Sequence, residues 1–144
     1  MLIDPDDFPR VELDFMNRVH DEEVAMLNRL ADLVTQRETD PAVQADIDAL
    51  LNAFLTHMRR HFADEEAMMR RIAFPPYPVH KQEHDRVLDA LTALHEQTDR
   101  RELERFLLEE LPGWLDQHVA TMDMITARFL AMQGVSEPGD NVET

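Results

Sequence analysis

Hydrophobic positions recur every three or four residues along most of this chain, with polar positions between them, which is the period of an amphipathic α-helix. Four such segments cover about residues 10–37, 41–72, 78–98 and 101–131. Prolines punctuate the pattern: Pro5, Pro9, Pro41, the run 75–78 and Pro112. Because the chain also has only three glycines and few β-branched residues, we predict an all-α fold.

The four segments amount to a single domain. A chain of 144 residues buries roughly 70% of its unfolded surface, which is enough for a hydrophobic core. We expect residues 1–133 to form one four-helix domain, in which residues 1–9 are an N-terminal arm. Residues 134–144 are polar, with two glycines and a proline, and we expect them to be a disordered tail.

Histidines interrupt the hydrophobic stripe of every segment. In the first segment His20 lies seven residues from Leu13 and from Leu27, so it is expected to face the core. The inward-facing polar residues of the other three segments are His57, His61 and Glu65, then His80 and His84, then His118. The fourth stripe as a whole is Leu111, Leu115, His118, Met122, Ile125 and Phe129.

Residues 61–84 carry the clearest chemical pattern. His61 and Glu65 are four residues apart, as are His80 and His84, so each pair projects from one face of its helix. A proline-rich turn joins the two helices, which directs three imidazoles and a carboxylate to one place. Such nitrogen and oxygen ligands suit iron, zinc or manganese. The sequence therefore predicts a metal site.

A non-metal interpretation is available for each position taken alone. A single buried histidine is more often a core residue that is hydrogen-bonded to a neighbour, and a pair four residues apart is often a surface pair. Burying five imidazoles and a carboxylate without partners would, however, cost several kcal/mol, whereas one metal centre satisfies them together. The combination therefore favours the metal site.

Composition narrows the possible functions. The chain has no cysteine, which excludes disulfides, thiolate metal sites and thiol catalysis. Its net charge of −16 argues against binding to nucleic acid or to an anionic membrane surface. No run approaches 18 apolar residues, and the first ten residues lack the features of a signal peptide, so we expect a cytoplasmic protein.

Several spaced motifs resemble those of the hemerythrin family. They are His61-Phe62, Glu65-Glu66 with Met69, Phe74-Pro75, His80 with His84, and Trp114-Leu115 with His118 and Asp123. Together with His20 they span most of the chain. The resemblance implies an up-down-up-down antiparallel four-helix bundle that encloses a non-haem di-iron centre.

The same resemblance implies a role for each site residue. His80, His84 and His118 would hold one iron, and His20 and His61 would hold the other. Glu65 and Asp123 would bridge the two irons together with an oxo or hydroxo group, which leaves the second iron with one open position. Trp114 and Leu115 resemble residues that line the ligand pocket. By periodicity alone Asp123 would lie on the surface, since five residues from His118 is a rotation of about 140°.

Two residues depart from the family pattern near the predicted open position. Glu23, three residues after His20, is either a surface glutamate or a ligand that partly fills that position. His57, one turn before His61, is expected to hydrogen-bond to a metal-bound group rather than to bind metal itself.

The predicted function is reversible dioxygen binding for storage, delivery or sensing. We therefore expect a binding protein rather than a turnover enzyme. One alternative is a peroxide, nitric oxide or iron and redox stress protein with an occluded site, and a second is a metal-free interaction bundle. The expected partners are dioxygen or a small ligand such as nitric oxide, peroxide or azide, together with an electron donor that the sequence does not identify. Both a monomer and a homo-oligomer remain open.

Overall fold

The structure, a computed structural model, describes residues 1–139 and contains four long helices in that range, without strands. Helix α1 is Asp14–Gln36, α2 is Gln44–Arg71 and α3 is Tyr77–His95. Helix α4 is continuous over 101–132. Its segments are Arg101–Arg105, the π-helical turn Phe106–Glu110, Leu111–His118, the π-helical turn Val119–Asp123, and Met124–Met132.

The helices form a four-helix bundle, as predicted. Helix α1 packs against α2 and α4, and α3 packs against the same two helices. The connections are short, so neighbouring helices run antiparallel. None of the helices within residues 1–139 is both long enough and apolar enough to cross a membrane.

Prolines and their neighbours mark both ends of α2. The Asp40 carboxylate accepts a hydrogen bond from the backbone N–H of Ala42 and caps the short turn Pro41–Val43 that leads into α2. At the other end of α2, Ala73 adopts a left-handed conformation with φ of 50°. Pro75 and Pro76, which have no N–H to donate, follow directly, so α2 cannot continue.

The core contains fully buried side chains from all four helices, among them Leu27, Ile47, Leu91 and Leu107. Each such burial stabilises the fold by roughly 1.5–3 kcal/mol. Near one end of the core, the Arg37 guanidinium donates two hydrogen bonds, of 2.9 and 2.7 Å, to the Glu104 carboxylate. This pair joins the residue after α1 to the start of α4.

The predicted stripe of α4 is wrong after His118. Leu111 and Leu115 are buried as expected, but Ile125 is 53% exposed. Thr126, Ala127 and Leu130 are buried in its place, while Met122 and Phe129 are only partly covered. The π-helical turn Val119–Asp123 is the cause, because it adds one residue to a turn and shifts every later position.

Both ends of the chain pack onto the bundle in part. In the arm, the backbone N–H and C=O of Ile3 pair with the side-chain amide of Asn28, and Phe8 is buried. At the other end, the backbone N–H of Val135 donates to the Leu130 carbonyl, and its side chain is buried. The predicted disordered tail therefore starts with a packed residue, and its last five positions, 140–144, lie outside the described residues. The division into domain, arm and tail stays a prediction.

Candidate metal centre

Seven polar side chains from all four helices meet in the middle of the bundle. Each is at most 3% exposed: His20 on α1, His61 and Glu65 on α2, His80 and His84 on α3, and His118 and Asp123 on α4. These are the seven residues that the sequence predicted as metal ligands. Their nitrogen and oxygen atoms fall into two groups, within each of which all atoms lie within 4.8 Å of one another.

The first group contains three imidazoles, those of His80, His84 and His118. The Nε2 atoms of His80 and His118 lie 3.2 Å apart, and each lies 3.0 to 3.1 Å from Oδ1 of Asp123. Nε2 of His84 lies 3.5 Å from Oε1 of Glu65. Three ring nitrogens and two carboxylate oxygens therefore surround one point.

The second group contains two imidazoles, those of His20 and His61. Nε2 of His20 lies 3.0 Å from Oδ2 of Asp123, and Nε2 of His61 contacts Oε2 of Glu65. Glu65 and Asp123 thus belong to both groups, and each directs one oxygen to the first group and the other oxygen to the second. This is the arrangement that a carboxylate adopts when it bridges two metal ions.

The hydrogen bonding of these atoms is incomplete. Buried atoms without a hydrogen-bond partner include Nε2 of His20, Nε2 of His84, Oε1 of Glu65 and both oxygens of Asp123. Buried polar atoms that lack partners cost about 1–3 kcal/mol each. Because these atoms face one another and are all good metal ligands, the residues fit a bound metal centre.

Three of the five rings have a hydrogen-bond partner on the outer nitrogen. Nδ1 of His61 contacts Oε1 of Glu23, Nδ1 of His84 lies 2.9 Å from Oε2 of Glu66, and Nδ1 of His80 lies 2.8 Å from the Thr126 hydroxyl. An acceptor on Nδ1 keeps the proton there and leaves Nε2 free to bind a metal. These three partners therefore fix the tautomer and the orientation of three rings.

The acidic and basic side chains of the centre shift one another's pKa values toward the charged forms. Burial by itself would raise the pKa of Glu65, but the neighbouring His61 and hydrogen bonds from the histidines lower it well below its usual range. Burial lowers the pKa of His80, whereas Asp123 and Glu65 together raise it to about 9. Glu65 is therefore ionised at neutral pH.

The π-helical turn also explains how Asp123 reaches the centre. In an α-helix the fifth residue after His118 would point to the flank, as periodicity predicted. In the π-helical turn Val119–Asp123 each hydrogen bond spans one more residue, so the fifth residue returns to the face of His118. Asp123 is consequently fully buried beside His118 and His80.

Comparison with known proteins agrees with this geometry. The family model described as the hemerythrin HHE cation binding domain matches residues 11–130. A bacteriohemerythrin of Aquifex aeolicus is 36% identical over 134 residues, which cover 90% of this chain and 98% of the relative. A bacteriohemerythrin of Ralstonia nicotianae is 39% identical over 115 residues, which cover 76% of this chain and 74% of that relative.

The chain belongs to the hemerythrin family. A myohemerythrin of Sipunculus nudus is a further relative, 33% identical over 84 residues, which cover 58% of this chain and 62% of the relative. No solved structure gives a significant match. The resemblance seen in the motifs is thereby confirmed for the chain as a whole.

Of the two roles that the sequence left open for Glu23, the structure excludes the surface position, and the ligand role stays a prediction. Glu23 is 1% exposed, so it is not a surface glutamate. Its Oε1 contacts Nδ1 of His61, on the side of the ring that faces away from Glu65. Glu23 therefore lies behind His61 rather than between the two groups. Burial raises the pKa of Glu23, but His61 and His57 lower it more, so the carboxylate is charged.

His57 continues this chain of contacts toward the surface. Its Nδ1 lies 3.6 Å from Oε1 of Glu23, and its Nε2 lies 2.7 Å from Oε2 of Glu22. The neighbouring carboxylates of Glu23 and Glu22 raise the pKa of His57, although its partial burial alone would lower it. A surface cavity of about 300 Å³ opens beside it and reaches His61. His57 thus contacts a partner of a ligand residue and is not in either ligand group.

Aromatic rings enclose the centre of this hemerythrin. Phe62 stacks on His84 with ring centroids 3.9 Å apart, and Trp114 stacks on His118 at 4.4 Å. Phe8, from the arm, lies against His20 at 6.3 Å. Leu115, the other predicted pocket residue, is buried in the hydrophobic core.

Sequence reasoning assigned no role to Thr126, Glu66 or Phe8. Glu66 could have been found, because it follows Glu65 and is the next acidic residue in the same motif. Thr126 could not, because the regular helical period placed Ile125 inside instead. Phe8 lies outside the periodic segments, so no helical pattern pointed to it.

Proposed function

We propose that this hemerythrin holds two iron ions, one in each ligand group, and binds dioxygen reversibly at the second. The unequal groups carry the proposal. Three imidazoles would hold the first iron and two would hold the second, while Glu65 and Asp123 are shared by both groups. With one solvent-derived bridge, the first iron would have six ligands and the second would have five, which would leave one position for a small molecule. When bound, the iron pair would supply the electrons that dioxygen takes up on binding.

The ligand set is consistent with iron. All donors are imidazole nitrogens or carboxylate oxygens, which is the chemistry that non-haem iron accepts. Two bridging carboxylates offset part of the charge of two cations inside an otherwise buried site, while neutral imidazoles complete the coordination without adding charge. The outer partners Glu23, Glu66 and Thr126 hold three of the rings with Nε2 toward the metal.

The placement of Glu23 favours a binding protein over an occluded redox site. Since its carboxylate contacts the outer nitrogen of His61, it leaves the proposed open position unfilled. The rings of Phe62 and Trp114 pack over His84 and His118, and this apolar cover limits the access of water to the first ligand group. We expect the ligand to be dioxygen, or a molecule of similar size such as nitric oxide or azide.

The remaining partners follow from the proposed chemistry. A reversible carrier needs an external electron donor to restore iron that has become oxidised, and the net charge of −16 favours a donor with a basic docking surface. We expect the protein to act in the cytoplasm, as a monomer or a homo-oligomer.

The experiment is a visible spectrum of iron-loaded protein that is reduced without oxygen, exposed to air and then deoxygenated. We expect an absorption band that appears in air and disappears on deoxygenation over repeated cycles. A change that occurs once and cannot be reversed would instead point to peroxide, nitric oxide or redox chemistry. Protein that takes up no iron after iron-replete expression would point to the metal-free interaction bundle.

A further inference from the structure

An apolar cavity lies on the far side of the first ligand group, between the start of α3 and the second half of α4. Its volume is about 160 Å³. Its lining includes Phe74, Val79, Met122 and Ile125, together with His80 and Thr126. We call it the α3–α4 cavity. It is separate from the space between the two ligand groups, because it meets His80 from the side of Nδ1 and Thr126.

Two apolar side chains at the rim of the α3–α4 cavity are largely exposed to solvent. Val79 is 54% exposed and Ile125 is 53% exposed, although both are branched aliphatic residues. A single exposed apolar residue is normal in soluble proteins. These two come from different helices and face the same depression, and Ile125 is there because the π-helical turn moves it out of the core.

We propose that the α3–α4 cavity binds a small, uncharged, apolar molecule, in the size range from a dissolved gas to a single hydrocarbon ring. None of the residues that line it carries a formal charge, apart from the imidazole of His80. Nδ1 of His80 and the Thr126 hydroxyl are hydrogen-bonded to each other at 2.8 Å, so neither group needs a polar ligand as its partner. The exposed surface inside the cavity is otherwise apolar.

The volume supports this class of ligand. Enclosed apolar protein cavities of about 150 Å³ accept benzene or xenon, and the α3–α4 cavity has a similar volume with one side open to solvent. A stable interface with a second copy would need about 800 Å² from each partner. The exposed apolar rim consists of two side chains, with Met124 next to Ile125 at 36% exposed, and is bordered by the exposed residues Thr121 and Arg128. This patch suits a small molecule better than a protein surface.

The test uses xenon as the probe and the full-length, iron-loaded protein. We would titrate xenon while recording its ¹²⁹Xe NMR shift with the wild-type chain and with Val79→Trp and Ile125→Trp, which fill the cavity from its exposed rim. Met132→Trp is the matched control, because Met132 is 74% exposed on the same helix as Ile125 and does not line the cavity.

We expect saturable binding of about one xenon per chain to the wild-type and Met132→Trp proteins, and at least ten-fold weaker binding to the two filled variants. A shift that rises linearly without saturation, or that is equal in all four proteins, would overturn the proposal. Sedimentation of the wild-type chain and of a further variant, Ile125→Asp, would also overturn it if the wild-type chain is a dimer that this variant dissociates. The iron content of each sample is measured as well. A chain that holds two irons but binds no xenon would contradict the ligand proposed for the cavity and leave the proposed function intact.

Discussion

The Nε2 atoms of His80 and His118 lie 3.2 Å apart in the buried centre of the bundle. Two imidazole nitrogens that bind one metal at right angles, each at about 2.1 Å, would be separated by about 3 Å. Nδ1 of His80 lies 2.8 Å from the Thr126 hydroxyl, so a neutral ring that keeps its proton on Nδ1 presents the lone pair of Nε2 to an ion. The rings of α3 and α4 are thus already spaced as the ligands of a shared ion.

Thr126→Val tests whether the Thr126 hydroxyl orients the His80 ring. Valine keeps the shape of threonine but cannot accept the Nδ1 proton, so the ring loses its fixed tautomer and orientation. We expect iron affinity to fall roughly ten-fold or more, as measured by competition with a ferrous chelator. Thr121→Val is the control, because that hydroxyl is exposed and donates to the Gln117 carbonyl within its own helix. Equal affinities in both variants would remove Thr126 from this role.

Glu23→Leu tests whether Glu23 holds His61 or fills the open position. Since the carboxylate contacts the outer nitrogen of His61, its loss should weaken iron in the second group by roughly ten-fold. The association rate of azide should stay within about two-fold of the wild-type rate, as measured by stopped-flow absorption at full iron loading. Asp32→Leu is the control at an exposed position of the same helix, outside both ligand groups. Much faster azide binding in Glu23→Leu would show that Glu23 is itself a ligand.

Arg37→Leu tests the ion pair that joins the end of α1 to the start of α4. The substitution leaves the Glu104 carboxylate largely buried without its two hydrogen bonds. We expect the free energy of unfolding to fall by roughly 2 kcal/mol, as measured by urea denaturation. The double variant Arg37→Leu with Glu104→Leu should recover most of this loss, because no charge is then left unpaired.

Arg105→Ala is the comparison for that measurement. Arg105 forms exposed ion pairs with Glu102 and Glu109 on the same helix, and exposed pairs contribute little. A loss in Arg37→Leu no larger than that in Arg105→Ala would mean that the bidentate pair adds nothing to stability.

Sequence reasoning worked where the chemistry is local. The prolines near residues 41 and 75–78 predicted the helix boundaries to within a few residues, because a proline cannot donate the hydrogen bond that continues a helix. A spacing of four residues was enough to place His61 with Glu65, and His80 with His84, on common faces of their helices.

Sequence reasoning failed where contacts between helices determine the structure. Nothing in the residues Val119–Asp123 marks a π-helical turn, since they contain neither proline nor glycine. The turn brings Asp123 beside three histidines and at the same time exposes Ile125, and both effects depend on the other helices. The position of Glu23 was likewise undecided, because one helix alone does not reveal that His61 of another helix lies against it.

The most direct test of this account is the iron content of the purified chain and of three variants, after iron-replete expression. We predict two irons per chain in the wild type and in Asp64→Ala, which changes the neighbour of Glu65 outside both ligand groups. His61→Ala removes a ligand of the second group alone, and Glu65→Ala removes the carboxylate that both groups share, so both variants should lose the iron pair. Two irons retained in Glu65→Ala, or fewer than two in the wild type, would contradict a di-iron centre at these residues.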